Sequence, residues 1–394
     1  MLNEGKKPKI LIFTGYYLPG FKGGGPIKSI ANLVSGLSDY FEFMIVTRDR
    51  DLSDITPYDG IQVDCWQMVE GAKVIYLSPS KVNVFNIRKI LIETKCDAIY
   101  LNGFFDPNFS IKPLWICRYL KVSKAPILIA PRGEFSKGAI SIKKEKKLTY
   151  IRICNFLRIY KGCAFQASSE YEAKDILDFI KIPDKSVRVA LNVPDISTPL
   201  SEELHKGDTS NKRLKVVFLS RISEKKNLRF AIRVLSLTSS SIDFDIYGPI
   251  EDLNYWAECE ALIQELPSNV RANYRGEVQP ENVKSIFSEY DLFLFPTLGE
   301  NFGHVIAESL LAGTPVLTSD QTPWRNLKAD GLGWDLPLSD ELEYSKIIDS
   351  FSATSALERY AERYLRSEKT KVKLNASDIL AANINLFNSL FDRV

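Results

Sequence analysis

Residues 290–320 read YDLFLFPTLGENFGHVIAESLLAGTPVLTSD. A short apolar run at 292–295 precedes a loop, an apolar helical pattern follows it, and a second apolar run stands at 316–318. Such runs are too short for helices, and unbroken apolar runs are typical of strands that are covered on both faces. The order strand, loop, helix, strand predicts one unit of an α/β fold with a parallel sheet.

The same alternation continues along the chain. Short apolar runs predict further strands at 10–14, 43–47, 98–101, 127–130, 187–191, 216–220 and 244–247. Residues 196–213 are polar and rich in turn-forming residues, which is typical of a linker. We therefore predict two Rossmann-like, parallel-sheet domains, over 1–195 and 214–374, that face a central cleft. The helical pattern at 375–394 either closes its own domain or packs back on the first.

Composition restricts the class of protein. The 394 residues are 45% apolar and 25% charged, as in soluble globular proteins, and Lys+Arg 51 against Asp+Glu 49 argues against a dedicated nucleic-acid binder. The six cysteines include no C-x-x-C pair, and with only His205 and His304 a His/Cys zinc site is not expected. We find no apolar run of about 18 residues and no signal-peptide core, and we expect a cytoplasmic protein.

Ligands of open α/β sheets bind beyond the carboxyl ends of the strands. The first predicted strand runs into a loop with Gly23, Gly24 and Gly25, before a helix that begins near residue 27. This loop suits an anion, although a flexible turn is the alternative and neither a G-x-G-x-x-G fingerprint nor a P-loop is present. Arg221 and Lys226 follow the strand at 216–220; they suit a diphosphate unless they form a solvated basic turn.

Two carboxylates lie eight residues apart in the stretch quoted above. Glu300 is in the loop, and Glu308 is expected about two turns inside the helix. Gly303 at the helix start allows free N–H groups to face a ligand. A carboxylate in an apolar helix needs a partner or a cleft, and Glu308 could accept two hydrogen bonds from a sugar diol. The alternative for Glu308 is a surface position.

The E-x7-E spacing, with Phe302 and Gly303 after the first glutamate, resembles the retaining nucleotide-sugar glycosyltransferases of the family 4 type (group 1), which have the GT-B fold. Further segments resemble the same family: SRISEKK at 220–226, RGEV at 275–278, LAGTPV at 311–316 and, more weakly, ASSE at 167–170 and ALN at 190–192. Asn227 departs from the family's usual glycine. Residues 320–327, DQTPWRNL, stand where the family often has a glycine-rich stretch, and this segment resembles a subgroup that acts in bacterial surface-polysaccharide synthesis.

The resemblance implies a role for each matched residue. Arg221 and Lys226 would neutralise the leaving diphosphate, Glu300 would contact the donor sugar, and these three are the candidate catalytic residues. Glu308 would bind the ribose hydroxyls. The other implied donor contacts are Gly24, Gly25, Val278, Phe302, Gly303 and His304.

Members of this family often carry a histidine near the end of a middle strand of the first domain. This chain has Arg132 and Glu134 there, which are the acceptor-side candidates. Two routes stay open: front-face transfer, in which the leaving phosphate takes the acceptor's proton, and a carboxylate base such as Glu134. We expect no cofactor and no metal, because the D-x-D patterns at 49–51 and 243–245 lie away from the phosphate loop.

Residues 136–161 are strongly basic and carry interspersed apolar residues. Such a segment can lie on an anionic membrane surface, and the alternative is a helix that packs on the first sheet. Contact with the inner face of the cytoplasmic membrane is therefore a hypothesis. Thr322 and Trp324 could meet the donor or acceptor sugar, and for Trp324 plain packing is the alternative.

The predicted reaction is transfer of a sugar, with retention, from a UDP- or GDP-sugar to a glycan or polyprenyl-linked saccharide in exopolysaccharide, capsule or lipopolysaccharide synthesis. A nucleotide-sugar epimerase or hydrolase is the first alternative, since fold does not determine function. A non-catalytic nucleotide-sugar-binding partner of another transferase is the second, and an inverting transferase is a weaker one.

Overall fold

The computed structural model describes residues 7–195 and 213–391. The chain divides into two compact units, Met1–Val193 with Ala376–Val394, and Pro194–Asn375. The predicted linker, except for Arg213, lies outside the described residues.

Eight strands form the sheet of the first unit: β1 (Lys9–Thr14), β2 (Glu42–Arg48), β3 (Trp66–Val69), β4 (Ala72–Leu77), β5 (Ala98–Asn102), β6 (Ile127–Ala130), β7 (Ala164–Ala167) and β8 (Val187–Val189). Their order is β3-β4-β2-β1-β5-β6-β7-β8, with β3 antiparallel to β4 and every other pair parallel. The helices between them are α1 (Gly25–Leu37), α2 (Val84–Thr94), α3 (Lys112–Leu120), α4 (Lys137–Ser141), α5 (Lys144–Phe156) and α6 (Glu170–Phe179).

Six parallel strands form the sheet of the second unit: β9 (Leu214–Leu219), β10 (Ile242–Tyr247), β11 (Val270–Gly276), β12 (Leu292–Phe295), β13 (Val316–Ser319) and β14 (Gly333–Leu336), in the order β11-β10-β9-β12-β13-β14. Its helices are α7 (Leu228–Ser236), α8 (Leu253–Gln264), α9 (Val283–Ser288), α10 (His304–Leu311), α11 (Leu327–Asp330), α12 (Glu341–Ala353) and α13 (Ala356–Leu374). Single turns add 3-10 geometry at Pro79–Lys81, Asp184–Ser186, Glu224–Lys226 and Pro280–Asn282 and π geometry at Pro107–Ile111.

The last helix, α14 (Ala376–Phe391), packs on the first unit. Phe387 is fully buried, and its ring centre lies 5.3 Å from that of Phe41 and 5.8 Å from that of Tyr100. Asn383 accepts a hydrogen bond from the Gln166 amide at 3.1 Å. Of the two arrangements that the sequence left open for this helix, the structure has the one in which it joins the first unit's core.

The apolar strands are buried as their sequences predict, with core side chains on both faces of the first sheet and a continuous core in the second unit. The sequence analysis missed five strands: β3, β4, β7, β11 and β14. The polar edge strand β11, VRANYRG, explains one such omission, because exposed edge positions need no apolar side chain. Within the described ranges, no helix combines the length and apolar composition needed to cross a bilayer.

Candidate active site

The loop after β9 carries the two predicted phosphate-binding cations. Ser220 and Arg221 continue from the strand, and the turn Glu224–Lys226 leads into α7 through Asn227, whose φ of 60° is left-handed. Gly248 makes room for this loop, since a Cβ there would lie 1.9 Å from the Ser220 carbonyl oxygen. A guanidinium nitrogen of Arg221 lies 3.1 Å from a carboxylate oxygen of Glu251.

The loop after β12 is bound to the β9 loop by hydrogen bonds. The two strands are neighbours in the sheet, so their carboxyl ends meet. The Asn227 amide donates to the Pro296 carbonyl at 2.9 Å, and the Leu298 N–H donates to the Lys225 carbonyl at 2.9 Å. Asn227, the departure from the family pattern, therefore fastens one loop to the other.

These contacts bring Lys226 and Glu300 together as a buried ion pair. Lys226 is 9% exposed, and its ammonium lies 5.5 Å from the centre of the Phe295 ring. Burial lowers the pKa of Lys226, although the charge of Glu300 acts in the opposite direction. Burial alone would raise the pKa of Glu300, but Lys226, Lys225 and Arg221 outweigh it and hold that pKa below its ordinary value. The site thus keeps a charged carboxylate beneath a group of cations.

The start of α10 is held by an aromatic side chain. The Trp324 indole is 5% exposed and donates a hydrogen bond to the Phe302 carbonyl at 2.7 Å. Gly303 has a φ of 78°, and a Cβ there would lie 3.2 Å from the indole nitrogen. Thr322 is buried and hydrogen-bonds the Trp324 backbone. Trp324 therefore packs beneath the turn, which is the second of the two roles that the sequence left open for it, and the buried Thr322 contacts its backbone.

Glu308 is the fifth residue of α10, about one turn into the helix rather than two. It is half-buried and lies within electrostatic reach of Lys284. Burial lowers the pKa of Lys284, and the charges of Asp195 and Glu308 act against this. His304 is the first residue of α10, and its ring centre lies 4.7 Å from that of Phe302. Val278 follows β11, at the same carboxyl edge of the sheet.

In the first unit, Gly24 and Gly25 stand at the start of α1, which begins two residues earlier than predicted. The loop before it is fixed rather than free, because a carboxylate oxygen of Asp51 accepts hydrogen bonds from the backbone N–H groups of Phe21 at 2.7 Å and Lys22 at 3.0 Å. The first D-x-D pattern thus serves the glycine loop. In the second pattern Asp243 pairs with Arg213 and Asp245 with Arg275.

Arg132 and Glu134 follow β6 at the carboxyl edge of the first sheet. Arg132 donates to the Asn102 amide oxygen at 2.7 Å, to the Tyr100 hydroxyl at 2.5 Å and to the Asn192 amide oxygen. One oxygen of Glu134 accepts hydrogen bonds from the N–H groups of Phe104 and Phe105, both at 2.8 Å. Burial raises the pKa of the Glu134 carboxyl above its ordinary value.

Sequence reasoning missed a second group at this edge. Arg48, the last residue of β2, donates to the Tyr16 hydroxyl at 3.2 Å and pairs with Asp106 at 3.2 Å. Its remaining Nε is buried without a hydrogen-bond partner. The available signal was the position of a charged residue at the end of an otherwise apolar strand.

Among residues 7–195 and 213–391, no three His, Cys, Asp or Glu side chains are grouped so as to hold a metal ion. The second unit instead offers cations and helix-start N–H groups at one sheet edge, an arrangement suited to a phosphate-bearing ligand. The roles assigned to the individual site residues stay predictions.

Comparison with known proteins agrees with this geometry. Residues 201–367 match the family model for group 1 glycosyl transferases. This segment is therefore similar to group 1 glycosyl transferases. The chain is also 26% identical over 273 residues to the "uncharacterized 41.2 kDa protein in cps region" of Klebsiella pneumoniae, covering 67% of this chain and 72% of that one. It is 22% identical over 314 residues to the phosphatidyl-myo-inositol mannosyltransferase of Mycobacterium leprae, covering 76% and 74%.

Solved structures show the fold. The structure of Anabaena HepE in complex with UDP-glucose superposes with a TM-score of 0.70 at 16% identity, over 97% of this chain and 99% of that chain. The predicted GT-B architecture is confirmed: two parallel-sheet α/β domains, the second of them containing the group 1 glycosyl transferase segment.

Proposed function

We propose that the protein is a retaining glycosyltransferase that moves a hexose-type sugar from a UDP- or GDP-sugar to a glycan or lipid-linked saccharide. The observation that carries this proposal is the buried Lys226–Glu300 pair beside Arg221, at the carboxyl edge of the second unit's sheet. A group 1 glycosyl transferase match over the same segment supports it, as does a GT-B neighbour whose structure holds UDP-glucose.

In this proposal Arg221 and Lys226 stabilise the diphosphate as the bond to the sugar breaks. Charge grows on the leaving phosphate oxygen, and cations fixed before the reaction stabilise that charge more than they stabilise the bound donor. Glu300 keeps Lys226 in place and then contacts the donor sugar, while Glu308 holds the ribose hydroxyls. Gly24, Gly25, Val278, Phe302, Gly303 and His304 supply the remaining donor contacts.

Retention follows from attack on the same face of the sugar as the leaving group. The acceptor oxygen forms its bond to the anomeric carbon while the bond to the diphosphate oxygen breaks, and the acceptor proton passes to that phosphate oxygen. We favour this route over a Glu134 base because the Glu134 carboxyl is committed to two backbone N–H groups. The reaction is proposed to need no metal and no further cofactor.

The acceptor is proposed to be a saccharide of a bacterial surface polysaccharide. This pathway is supported by the name of the Klebsiella relative, which places that protein in a cps region. Arg132 and Glu134 shape the acceptor side indirectly, through the residues that they hold. Access to a lipid-linked acceptor would place the protein in the cytoplasm at the inner face of the membrane.

The test is a transfer assay with purified protein, UDP- and GDP-sugars and a lipid-linked saccharide fraction. We expect nucleotide release that depends on acceptor and a product whose anomeric proton has the donor's configuration. Lys226→Ala should lower kcat far more than it raises KM, whereas Lys346→Ala, which changes an exposed side chain on α12, should leave both nearly unchanged. Release that ignores the acceptor favours a hydrolase, an isomerised donor favours an epimerase, and an inverted product excludes retention.

Fewer apolar residues of the basic segment are exposed to contact a membrane than the sequence suggested. Within the basic segment, Ile140 and Ile151 are buried in the core, whereas Ile153, Phe156 and Leu157 are 48%, 86% and 46% exposed. We propose that the exposed end of α5 inserts at the surface of an anionic bilayer. Phe156→Ser should reduce sedimentation with anionic liposomes, while Phe85→Ser, which changes a 73% exposed side chain on α2, should not. Equal binding by both variants and the wild type contradicts the proposal.

A further inference from the structure

A second strongly basic concavity lies in the first unit, outside the site described above. It has a volume of about 1000 Å³, and we call it the basic pocket. The twelve residues that line it include five cations and no acid. The lining residues that matter for its charge are Arg158, Lys161, Lys181, Lys185 and Arg188.

The walls of the basic pocket are fixed by hydrogen bonds. The Asn155 amide donates to the Phe179 carbonyl at 2.8 Å and accepts from the Lys181 N–H at 3.0 Å, which joins α5 to the segment after α6. The Arg118 guanidinium donates to the Ile159 carbonyl at 2.7 Å and also to the Lys161 carbonyl, which holds the opposite wall. The cations therefore sit on a preformed surface rather than on free loops.

The charge of this pocket does not follow from the composition of the chain. The protein is almost neutral, with 51 cationic and 49 acidic side chains, yet five cations converge here without an acid in the lining. Arg158, Lys161, Lys181 and Lys185 form no ion pair with another residue that the structure describes. Clefts lined by one sign of charge concentrate ligands of the other sign.

The basic pocket is also separate from the candidate acceptor residues of the same unit. Gly162 and Ser186 lie just before β7 and β8, at the amino ends of these strands. Arg132 and Asn192 follow the carboxyl ends of β6 and β8. A strand of four residues spans roughly 13 Å, so the two groups occupy opposite edges of the sheet.

We propose that the basic pocket binds an anion with at least two linked phosphates, of the diphosphate class. One phosphate cannot approach neutralising Arg158, Lys161, Lys181 and Lys185 together, whereas Arg and Lys together suit a diphosphate through bidentate and point-charge contacts. The exposed Phe156 and Leu157 adjoin Asn155 and Arg158 in the chain, so the same anion could come from a lipid headgroup or from solution. This inference does not depend on the donor site.

The test is site-resolved lysine acetylation of the full-length protein, with inorganic pyrophosphate as the probe and mass spectrometry as the readout. Because each lysine is read separately, binding at Lys226 is not confused with binding at the basic pocket. We expect pyrophosphate to slow acetylation of Lys161, Lys181 and Lys185 by about threefold or more. Lys81 and Lys95, which are exposed elsewhere on the first unit, should be unaffected.

Arg158→Glu should abolish this protection, while Arg88→Glu, a matched reversal of an exposed arginine on α2, should retain it. Thermal unfolding of both variants checks that they are folded. Unprotected pocket lysines in the wild type, equal protection of Lys81 and Lys95, or full protection in Arg158→Glu would overturn the proposal. Where pyrophosphate does protect, displacement by phosphatidylcholine vesicles that contain a polyprenyl diphosphate, but not by plain phosphatidylcholine vesicles, assigns the anion to a lipid headgroup, and no displacement assigns it to a soluble diphosphate.

Discussion

At the scale of single residues, burying the Lys226–Glu300 pair costs free energy, and the proposed role of the pair in binding phosphate accounts for this cost. Both side chains are largely withdrawn from water, and a buried ion pair is often no more stabilising than apolar residues of the same volume. Removing one partner is different, since it leaves the other charge buried and uncompensated. We therefore propose that this pair, at the carboxyl edge of the sheet, serves ligand binding rather than stability.

This view predicts strong coupling between the two positions. Lys226→Met should lower the free energy of unfolding by about 3 kcal/mol, because Glu300 loses its main counter-charge. The double change Lys226→Met with Glu300→Gln should cost about 1–3 kcal/mol less than the sum of the single changes. Urea unfolding measures all three, with Lys346→Met on the exposed face of α12 as the control. Additive effects would contradict the buried pair.

Glu134 predicts a pH dependence with a definite sign. Burial raises the pKa of its carboxyl above the ordinary 4.5, so the folded chain holds this proton more tightly than the unfolded chain. The associated stabilisation is complete below about pH 4.5 and is lost as the pH rises through the folded pKa. Glu134→Gln keeps an acceptor for the Phe104 and Phe105 N–H groups but does not titrate. Its stability relative to the wild type should therefore increase with pH across this window, measured by denaturant midpoints; a constant difference contradicts the burial.

The sequence predicted residues better than it predicted their partners. Lys226 and Glu300 could be chosen because they follow strands, and the structure brings them together. Their direct pairing was not predictable, because it requires β9 and β12 to be neighbours in the sheet. In the chain, 72 residues lie between the end of β9 and the start of β12. Trp324 shows the reverse, because an aromatic residue beside a ligand loop fits a sugar contact and a buried support equally well until its indole partner is known.

At the scale of elements, the carboxyl ends of the strands position most of the candidate site residues. The apolar runs predicted the central strands of both sheets, since burial on two faces leaves a strong sequence signal. Edge strands such as β11 carry no such signal, and the beginning of α10 depends on a left-handed glycine whose need is visible only in three dimensions.

Gly303→Ala tests that helix start. A Cβ at this position meets Ile306 at 3.1 Å and the Trp324 indole at 3.2 Å, in addition to the cost of a left-handed alanine, about 1–2 kcal/mol. The variant should lose stability and bind donor nucleotide more weakly. Gly60→Ala is the matched control, since Gly60 has a similar φ of 74° with nothing within 4 Å of its Cβ position. Thermal unfolding of both should show a larger loss at Gly303; equal losses would remove the role of the indole contact.

At the scale of the whole molecule, the last helix of the chain belongs to a different unit from the helix before it. The helix α13 belongs to the second unit, whereas α14 completes the core of the first. A truncation at residue 375 therefore removes part of the first unit's core and leaves the second unit's described elements whole.

The variant Phe387→Ala tests whether α14 is part of the first unit's core. Loss of a fully buried aromatic ring costs about 3–5 kcal/mol, and the cost should fall on the first unit. Hydrogen exchange should accelerate in β1, β2 and β5 and stay unchanged in β9 to β14. Phe287→Ala, which removes a fully buried ring from the second unit, should give the opposite pattern. Faster exchange in both units of either variant contradicts independent cores.

The central claim is that the carboxyl edge of the second unit's sheet binds a nucleotide diphosphate through Lys226. Thermal unfolding with UDP, GDP and ADP, singly and as sugar conjugates, tests it most directly. We predict that one base raises Tm, since ligand at about 100 times Kd adds roughly 2.7 kcal/mol. Lys226→Ala should reduce the shift with the free diphosphate, which is the leaving group, more than the shift with the sugar conjugate, while Lys346→Ala, which changes an exposed side chain on α12, should keep both. No shift with any nucleotide, or an undiminished shift in Lys226→Ala, would contradict the assignment of this edge as the donor site.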